Sequence, residues 1–597
     1  MRWLLLLLLW PAAAGAAWDR YELMIWQDQT PERLATLKQA GFTAAKLNGN
    51  GGINPAALAK HRASGLPYYV ENIATDFYAP YHRYTPGKPV TWLFEAAKAA
   101  LREQPGSTAP FLRTPSLEDP AWRQRVTDRL TALVQAQRVD RPLFYTLGDE
   151  TGIGDLAAAW DADVSPASVE AYRRWLATQY PDLAALNAQW GSRYDAWDAI
   201  QPELTDRALA RTDDNYSAWS DFKAFMDVSF AGAVLMGTEA VHRGDPAALA
   251  AIEGAQVPGW GGYDYGRLAR AVDVMEIYDF GQALAIARSV NPAMIPLRTS
   301  FSAGSGERHA AWGAFLAGVR GTIVWDEADA IVSPDGTVSP RARELATQTV
   351  DFQALAPRLW AAKPHQSGVA VLVSQESFRL RWLLDRKAGA RWWDRDAERE
   401  YDSNAWRYAR QQIAERLAAI GVAPLWLTTL ADGAPAGVHT VLLPQVLALS
   451  DADAATLARL PAVFADTEPG LFDRHGRRRP VPLPIATPLP FRPAFGAASA
   501  ADLDAVRSAL GVPIPVRATE ADGSTATGVV LQLFDAADGM IVSLQTAQPA
   551  LTVRPVTLVL PAPRTLLDLR TGAALGRTQQ LTVTLDPIDP TILLLQP

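Results

Sequence analysis

The chain has 597 residues, too many for one hydrophobic core, so roughly two to four domains are expected. It is 49% hydrophobic and 20% charged, with a net charge of -8 and no strong basic block, a balance that argues against nucleic-acid binding. It has no cysteine, which excludes disulfides, thiolate metal sites and cysteine nucleophiles.

The N-terminus reads as a signal peptide over residues 1–16. Arg2 gives a positive start, Leu4 to Leu9 an apolar core, and Ala14-Gly15-Ala16 a small-residue site with cleavage after Ala16. Export to the periplasm or beyond is expected. The apolar run is too short to span a bilayer, and no later stretch reads as a membrane span.

From Trp18 onward, short apolar strands alternate with helical stretches. The predicted strands are Tyr21–Gln27, Phe42–Asn48, Pro67–Ile73, Leu143–Leu147, Ala248–Glu253, Val272–Tyr278, Met294–Thr299 and Gly321–Trp325. Eight strands in this alternation predict a (β/α)8 TIM barrel over 17–362. A helical insertion is expected at about 155–245, on top of the barrel. Residues 363–480 read as a small open α/β domain and 481–527 as a Pro-rich linker with a mixed segment. The Val-, Leu- and Thr-rich segment 528–597 reads as a C-terminal β-sandwich domain.

Catalytic groups of such barrels sit at the C-terminal strand ends. The fourth strand ends at Asp149-Glu150, followed by Gly152. Glycoside hydrolysis needs an acid for the leaving oxygen and a second carboxylate as nucleophile or base. Adjacent acids can hold one protonated by like-charge repulsion. The bland alternative is that Asp149 caps a helix and Glu150 is solvated. The fifth strand ends at Glu253, with Gly254 permitting a bend and Gln256 offering an amide to hydroxyls. Glu253 could equally pair with a basic residue.

Alternation puts Glu276 and Tyr278 on one face of strand six. Strand eight ends at Trp325-Asp326-Glu327, where Trp325 is either a sugar platform or ordinary core. Lys46-Leu47-Asn48 and Glu71-Asn72 close strands two and three. Asn48 and Asn72 there are hydroxyl-binding candidates or simple turn formers. Twenty tryptophans mildly favour a carbohydrate partner. Seven scattered histidines without ligand spacing suggest no metal, and no convincing nucleotide motif suggests a cofactor.

Several segments resemble glycoside hydrolase family 42, the β-galactosidases of clan A. They are Trp175-Leu176, Leu186-Asn187-Ala188-Gln189-Trp190-Gly191 with Tyr194, Trp197 and Ile200, then Asp221-Phe222 and Phe225. Gly262-Tyr263-Asp264-Tyr265 and Ala465-Asp466-Thr467-Glu468-Pro469-Gly470 with Phe472-Asp473 continue the resemblance. It implies a barrel, a flavodoxin-like trimerisation-type domain and a small β domain. A homo-oligomer is thereby an open alternative. The resemblance puts Glu150 at the acid/base position, where the family usually shows Asn-Glu rather than Asp-Glu. The family's nucleophile is a Glu ending strand seven. Here that strand ends Pro296-Leu297-Arg298-Thr299-Ser300, without an acid. The second carboxylate is then expected elsewhere, first at Glu253 and next at Asp326 or Glu327. The expected activity is a secreted glycosidase with catalytic Glu150 and Glu253, tuned by Asp149. The alternative is a non-catalytic carbohydrate-binding or assembly protein on a degenerate barrel.

Overall fold

The computed structural model describes residues 18–77, 94–154, 159, 161–326, 330–387, 405–491, 498–549 and 553–597. The segment read as the signal peptide, and Glu327, lie outside them.

Eight parallel strands close into a barrel in chain order. They are β1 Glu22–Ile25, β2 Ala44–Asn48, β3 Tyr68–Glu71, β4 Tyr145–Asp149, β5 Ala250–Ala255, β6 Val274–Ile277, β7 Ile295–Ser300 and β8 Gly321–Val324. Each overlaps its predicted run. The barrel interior is a cluster to which every strand or its approach gives one residue: Met24, Ala44, Tyr69, Phe144, Ala251, Val274, Leu297 and Ile323. Strand side chains alternate with period two, so the next inward residue lies two positions on, nearer the C-terminal mouth. In β2, β3, β5 and β6 that residue is Lys46, Glu71, Glu253 or Glu276. The same alternation that fills the barrel with apolar groups therefore raises a polar layer above them.

The segment between β4 and β5 divides in two. Helices Pro166–Gln179, Leu183–Trp190 and Thr205–Ala210 form the added part. The helix Ser217–Gly244 instead packs on β4, β5 and the helix Pro120–Gln137, as the wall helix of an ordinary βα unit. By length and composition this helix could cross a membrane, which the sequence reading did not foresee. Here it is mostly buried in protein. Two of its buried charged residues are paired there: Lys223 bonds Asp161 at 2.5 Å and Asp227 bonds Arg379 at 2.8 Å.

The second domain holds a parallel sheet of β10 Gln366–Leu372, β11 Ala423–Leu427, β12 Thr440–Leu443, β14 Ala462–Ala465 and β16 Thr487–Pro488. The spatial order is β11-β10-β12-β14-β16, the 2-1-3-4-5 order of flavodoxin-like folds. Two short strands, β13 Ala448–Leu449 and β15 Phe472–Asp473, pair separately. The domain docks on the barrel through aromatic packing of Trp260 on Phe378 and Trp382.

The C-terminal β domain has one antiparallel sheet with its own apolar core. Its strands are β17 Arg517–Thr519, β18 Val529–Ala536, β19 Gly539–Thr546, β20 Arg554–Asp568, β21 Ala574–Leu585 and β22 Thr591–Gln596. The long β20 shifts register between Val559 and Arg564, pairing β17 with its first half and β22 with its second. An outer strand, β9 Lys363–Pro364, comes from the connection leaving the barrel and pairs with β18.

Candidate active site

The C-terminal mouth of the barrel gathers the carboxyls of Glu71, Asp149, Glu150, Glu253 and Glu276 around the buried ammonium of Lys46. The Lys46 ammonium lies 4.0 Å from Glu71, 3.7 Å from Asp28 and 3.9 Å above the centre of the Trp26 ring. One ammonium cannot balance so many acids in a place shielded from water, so protonation must do part of the work.

Glu71, Asp149, Glu253 and Glu276 show this. Burial, partly offset by Lys46, pushes the Glu71 carboxyl up to about 7. Burial and the neighbouring Glu150 charge push Asp149 up to about 6. Glu276 is pushed to about 8 by burial, although it accepts the Gly254 N–H at 2.6 Å. Glu253 is raised well above the ordinary carboxyl range by burial and then by Glu71, Glu276 and Asp149. It is 1% exposed, and among the described residues neither carboxyl oxygen meets a donor. Glu253 is thus held toward its neutral form, buried beneath the mouth.

Glu150 stands differently. Its backbone N–H donates to the Glu253 carbonyl at 3.0 Å, tying the end of β4 to β5. Its φ is +44°, a left-handed conformation that turns the chain at the rim. The Tyr278 hydroxyl faces its carboxyl group. Asp149 and Glu150 are both part-exposed, so these two acids can meet a ligand. Gly254 makes room for them: a Cβ there would stand 2.5 Å from Glu150 Cγ and 2.8 Å from Asp149 Oδ1.

Asn72 ties the cluster together from β3. Its side-chain N–H donates to Glu71, its side-chain oxygen accepts the Asp149 N–H, and its own N–H donates to the Thr146 hydroxyl at 2.9 Å. It does this with φ at +59°, a conformation Asn tolerates better than most residues. Asn72 therefore positions the acids, and the sequence expectation of hydroxyl binding meets a side chain already engaged.

Other expected ligands are engaged too. Gln256 is buried and its amide donates to the Gly254 carbonyl at 2.9 Å. Asp326 accepts the Ala330 and Ile331 N–H groups, one on each oxygen, and so caps a turn after β8. Asn48 is exposed and caps its own turn through the Asn50 N–H. A polar side chain at a strand end satisfies the nearest unpaired backbone amide or carbonyl, and that local pull decides all three positions.

The aromatic side of the mouth runs Tyr278, Phe301, Trp325. Phe301 lies 5.4 Å from Tyr278 and 5.7 Å from Trp325 between ring centres, edge-on to both. It is 50% exposed. An exposed aromatic beside acids is the surface a sugar ring stacks on. Sequence reading picked Tyr278 and Trp325 and missed Phe301, which follows directly on the last residue of β7. On β7 itself the mouth-facing residue is Thr299, two past Leu297. Arg298 points to the outer side, where it pairs with Glu307 at 2.7 Å.

Residues 115–319 match the family described as Beta-galactosidase, Glyco_hydro_42. No curated protein matches the chain by sequence. Solved structures align over almost the whole chain. A β-galactosidase from Bacillus circulans sp. alkalophilus aligns with TM-score 0.66 and 13% identity, over 97% of this chain and 99% of its own. A catalytic mutant of a family 42 β-galactosidase from G. stearothermophilus gives 0.65 and 13%, over 97% and 98%. An exo-carrageenase of family 42 from Bacteroides ovatus gives 0.59 and 15%, over 96% and 80%.

Proposed function

We propose that the chain is a family-42-like glycosidase of the β-galactosidase type, exported, that cleaves O-glycosidic bonds of oligo- or polysaccharides with a carboxylate pair. The observation that carries this reading is the setting of Glu150. It lies part-exposed at the end of β4, faces the Tyr278 hydroxyl, and stands beside an acid pushed up to about 6.

In this proposal Glu150 protonates the glycosidic oxygen as its bond to the anomeric carbon breaks. Water adds to that carbon and its proton passes to a carboxylate. Asp149 suits that last role: it is reachable, and a base poised near the working pH is the effective one. Glu253 was the sequence candidate for nucleophile or base. Its burial and neutrality suit a proton reserve beneath the pair instead, because an attacking group must touch the carbon it attacks. Phe301 and Trp325 bear the sugar face.

A second reading has one observation in its favour: Thr299, not an acid, faces the mouth from β7. On that basis the barrel would bind glycans without cleaving them. A turnover screen over a glycan panel, wild type beside Glu150→Gln, decides between them. Cleavage by the wild type and loss in the variant is expected. A wild type that binds sugars and cleaves none establishes the binding reading.

Export is proposed from residues 1–16 alone. Recovered from a periplasm or culture medium, the protein is expected to begin at Ala17. Retention inside the cell at full length would overturn this part.

A further inference from the structure

A cleft of about 260 Å³ opens where the second domain meets the barrel. Its barrel side comes from the chain that follows β5, at Pro258 and again from Asp264 to Arg267. On the other side, Val373 and Thr428 follow directly on the last residues of β10 and β11. The cleft therefore lies outside the carboxyl ends of those strands. β10 is also the strand at which the sheet order reverses, with β11 on one flank and β12 on the other. In open parallel sheets, ligands settle in the crevice at such a reversal, and joints between domains are a second preferred place. None of the five mouth acids lines this cleft.

Its lining has two characters. The buried part is Pro258, Tyr265, Ile286 and Val373. The polar end of Tyr265 is already used, since its hydroxyl donates to the Gln256 carbonyl at 2.7 Å. What these four present to the cleft is thus largely a carbon surface. The edge carries Arg267 and Arg270, both exposed, so solvent and solutes reach the cleft directly.

The charges around it cancel. Arg267 pairs with Asp264 at 3.0 Å. Arg270 and Glu376 are left, one of each sign. Arg270 donates from one nitrogen to the Gly266 carbonyl, and Glu376 accepts the Ser374 hydroxyl at 3.3 Å. An anion would gain at Arg270 and lose at Glu376, and a cation would do the reverse. A neutral ligand rich in hydroxyls uses both, because a hydroxyl donates to a carboxylate and accepts from a guanidinium. Its carbon-bound hydrogens can rest on the apolar floor, where their burial is favourable.

We propose that this cleft is a second ligand site of the chain, apart from the barrel mouth, and that it takes a neutral sugar ring. The proposal does not rest on the cleavage reading, because no mouth acid takes part in it.

Calorimetric titration of the full chain with D-galactose, D-glucose and D-mannose tests it without turnover. At least one sugar is expected to bind with a Kd of about 10 mM or tighter. Arg270→Ala/Glu376→Ala is expected to weaken that event about tenfold or more, through the loss of two charged hydrogen-bonding partners. Phe301→Ala, at the mouth, should leave it within about twofold, as expected of separate sites. The site is overturned if none of the three sugars binds more tightly than about 10 mM. It is equally overturned by an event that survives the double variant. Should the double variant not fold, Arg270→Ala alone changes an exposed position, and a weakening of at least about threefold is expected; unchanged binding counts against the site. Inorganic phosphate is titrated beside the sugars. Phosphate bound more tightly than every sugar, and lost in the same variant, would make this an anion site and overturn the neutral ligand. Cleaved glycosides without a binding event in the cleft would remove this site and leave hydrolysis standing. A binding event in the cleft without any cleaved glycoside would do the reverse.

Discussion

The Asn72 side-chain oxygen accepts the Asp149 backbone N–H at 2.8 Å, while the Asn72 amide N–H donates to the Glu71 carboxyl. One residue thus holds the ends of two neighbouring strands and the acids they carry. Asn72→Ala removes both bonds and leaves a side chain less suited to φ of +59°. The expected cost is about 1–3 kcal/mol in a denaturant melt. Turnover on the best glycoside should fall about tenfold or more as Asp149 loses its anchor, which steady-state kinetics would record.

Glu150→Gln keeps the size and the Tyr278 contact and removes the proton. A loss of about 100- to 10,000-fold in kcat is expected for a general acid, with a melting curve close to that of wild type. Glu253→Gln makes the opposite pattern. A carboxyl held toward its neutral form is replaced by a neutral amide, so kcat near pH 6 should change by less than about tenfold. A Glu253→Gln loss as deep as that of Glu150→Gln would assign Glu253 to direct catalysis.

Gly254→Ala tests the room beneath the pair. The added carbon would meet Glu150 Cγ at 2.5 Å and Asp149 Oδ1 at 2.8 Å, in a backbone with φ of +58°. Both effects act together, and a destabilisation of about 1–3 kcal/mol with a drop in kcat exceeding any change in KM is expected.

The mouth acids also predict the sign of the pH dependence. Glu71, Asp149 and Glu276 have folded values of about 7, about 6 and about 8, each raised from its ordinary range by burial. A raised acid binds its proton more tightly in the folded chain. Its stabilising contribution is complete below the unfolded value near 4 and is lost as pH climbs through the folded value. The melting temperature should therefore fall between pH 5 and about 8, by an amount on the order of a few kcal/mol in stability. Glu276→Gln should flatten the upper part of that fall. A barrel that grows more stable over this range would contradict the neutral cluster.

Phe301→Ala removes an exposed ring between Tyr278 and Trp325. Stability should shift by less than about 0.5 kcal/mol, as for other surface positions. KM for glycosides should rise about five- to tenfold, since a lost stacking contact is worth about 1 kcal/mol or slightly more.

Much of this was legible in the residues. Period-two alternation in the strands foretells which Glu faces inward, because the apolar residue two positions earlier must fill the barrel. Glu253 and Glu276 follow Ala251 and Val274 by that rule. What alternation does not tell is depth. Glu150 and Glu253 look alike in sequence, each a Glu after an apolar run, yet one reaches the rim and the other is roofed by its neighbour strand. Asp326 and Gln256 were misleading for a related reason. A polar side chain at a strand end serves whichever backbone amide or carbonyl the turn leaves unpaired, and the turn is set by contacts far along the chain.

The outer strand Lys363–Pro364 pairs with Phe534 and Asp535, and His365 bonds Asp535 across 170 residues of chain. The helix behind β7 is tied still further along, through Arg308 and Trp312 to Asp589. On a ribosome, the barrel and the second domain therefore emerge with two joints waiting for partners not yet synthesised. The last-made domain closes them both. A chain cut short after the second domain would keep its whole barrel and carry an unsealed edge beside it, the kind of exposed strand that draws other copies into aggregates.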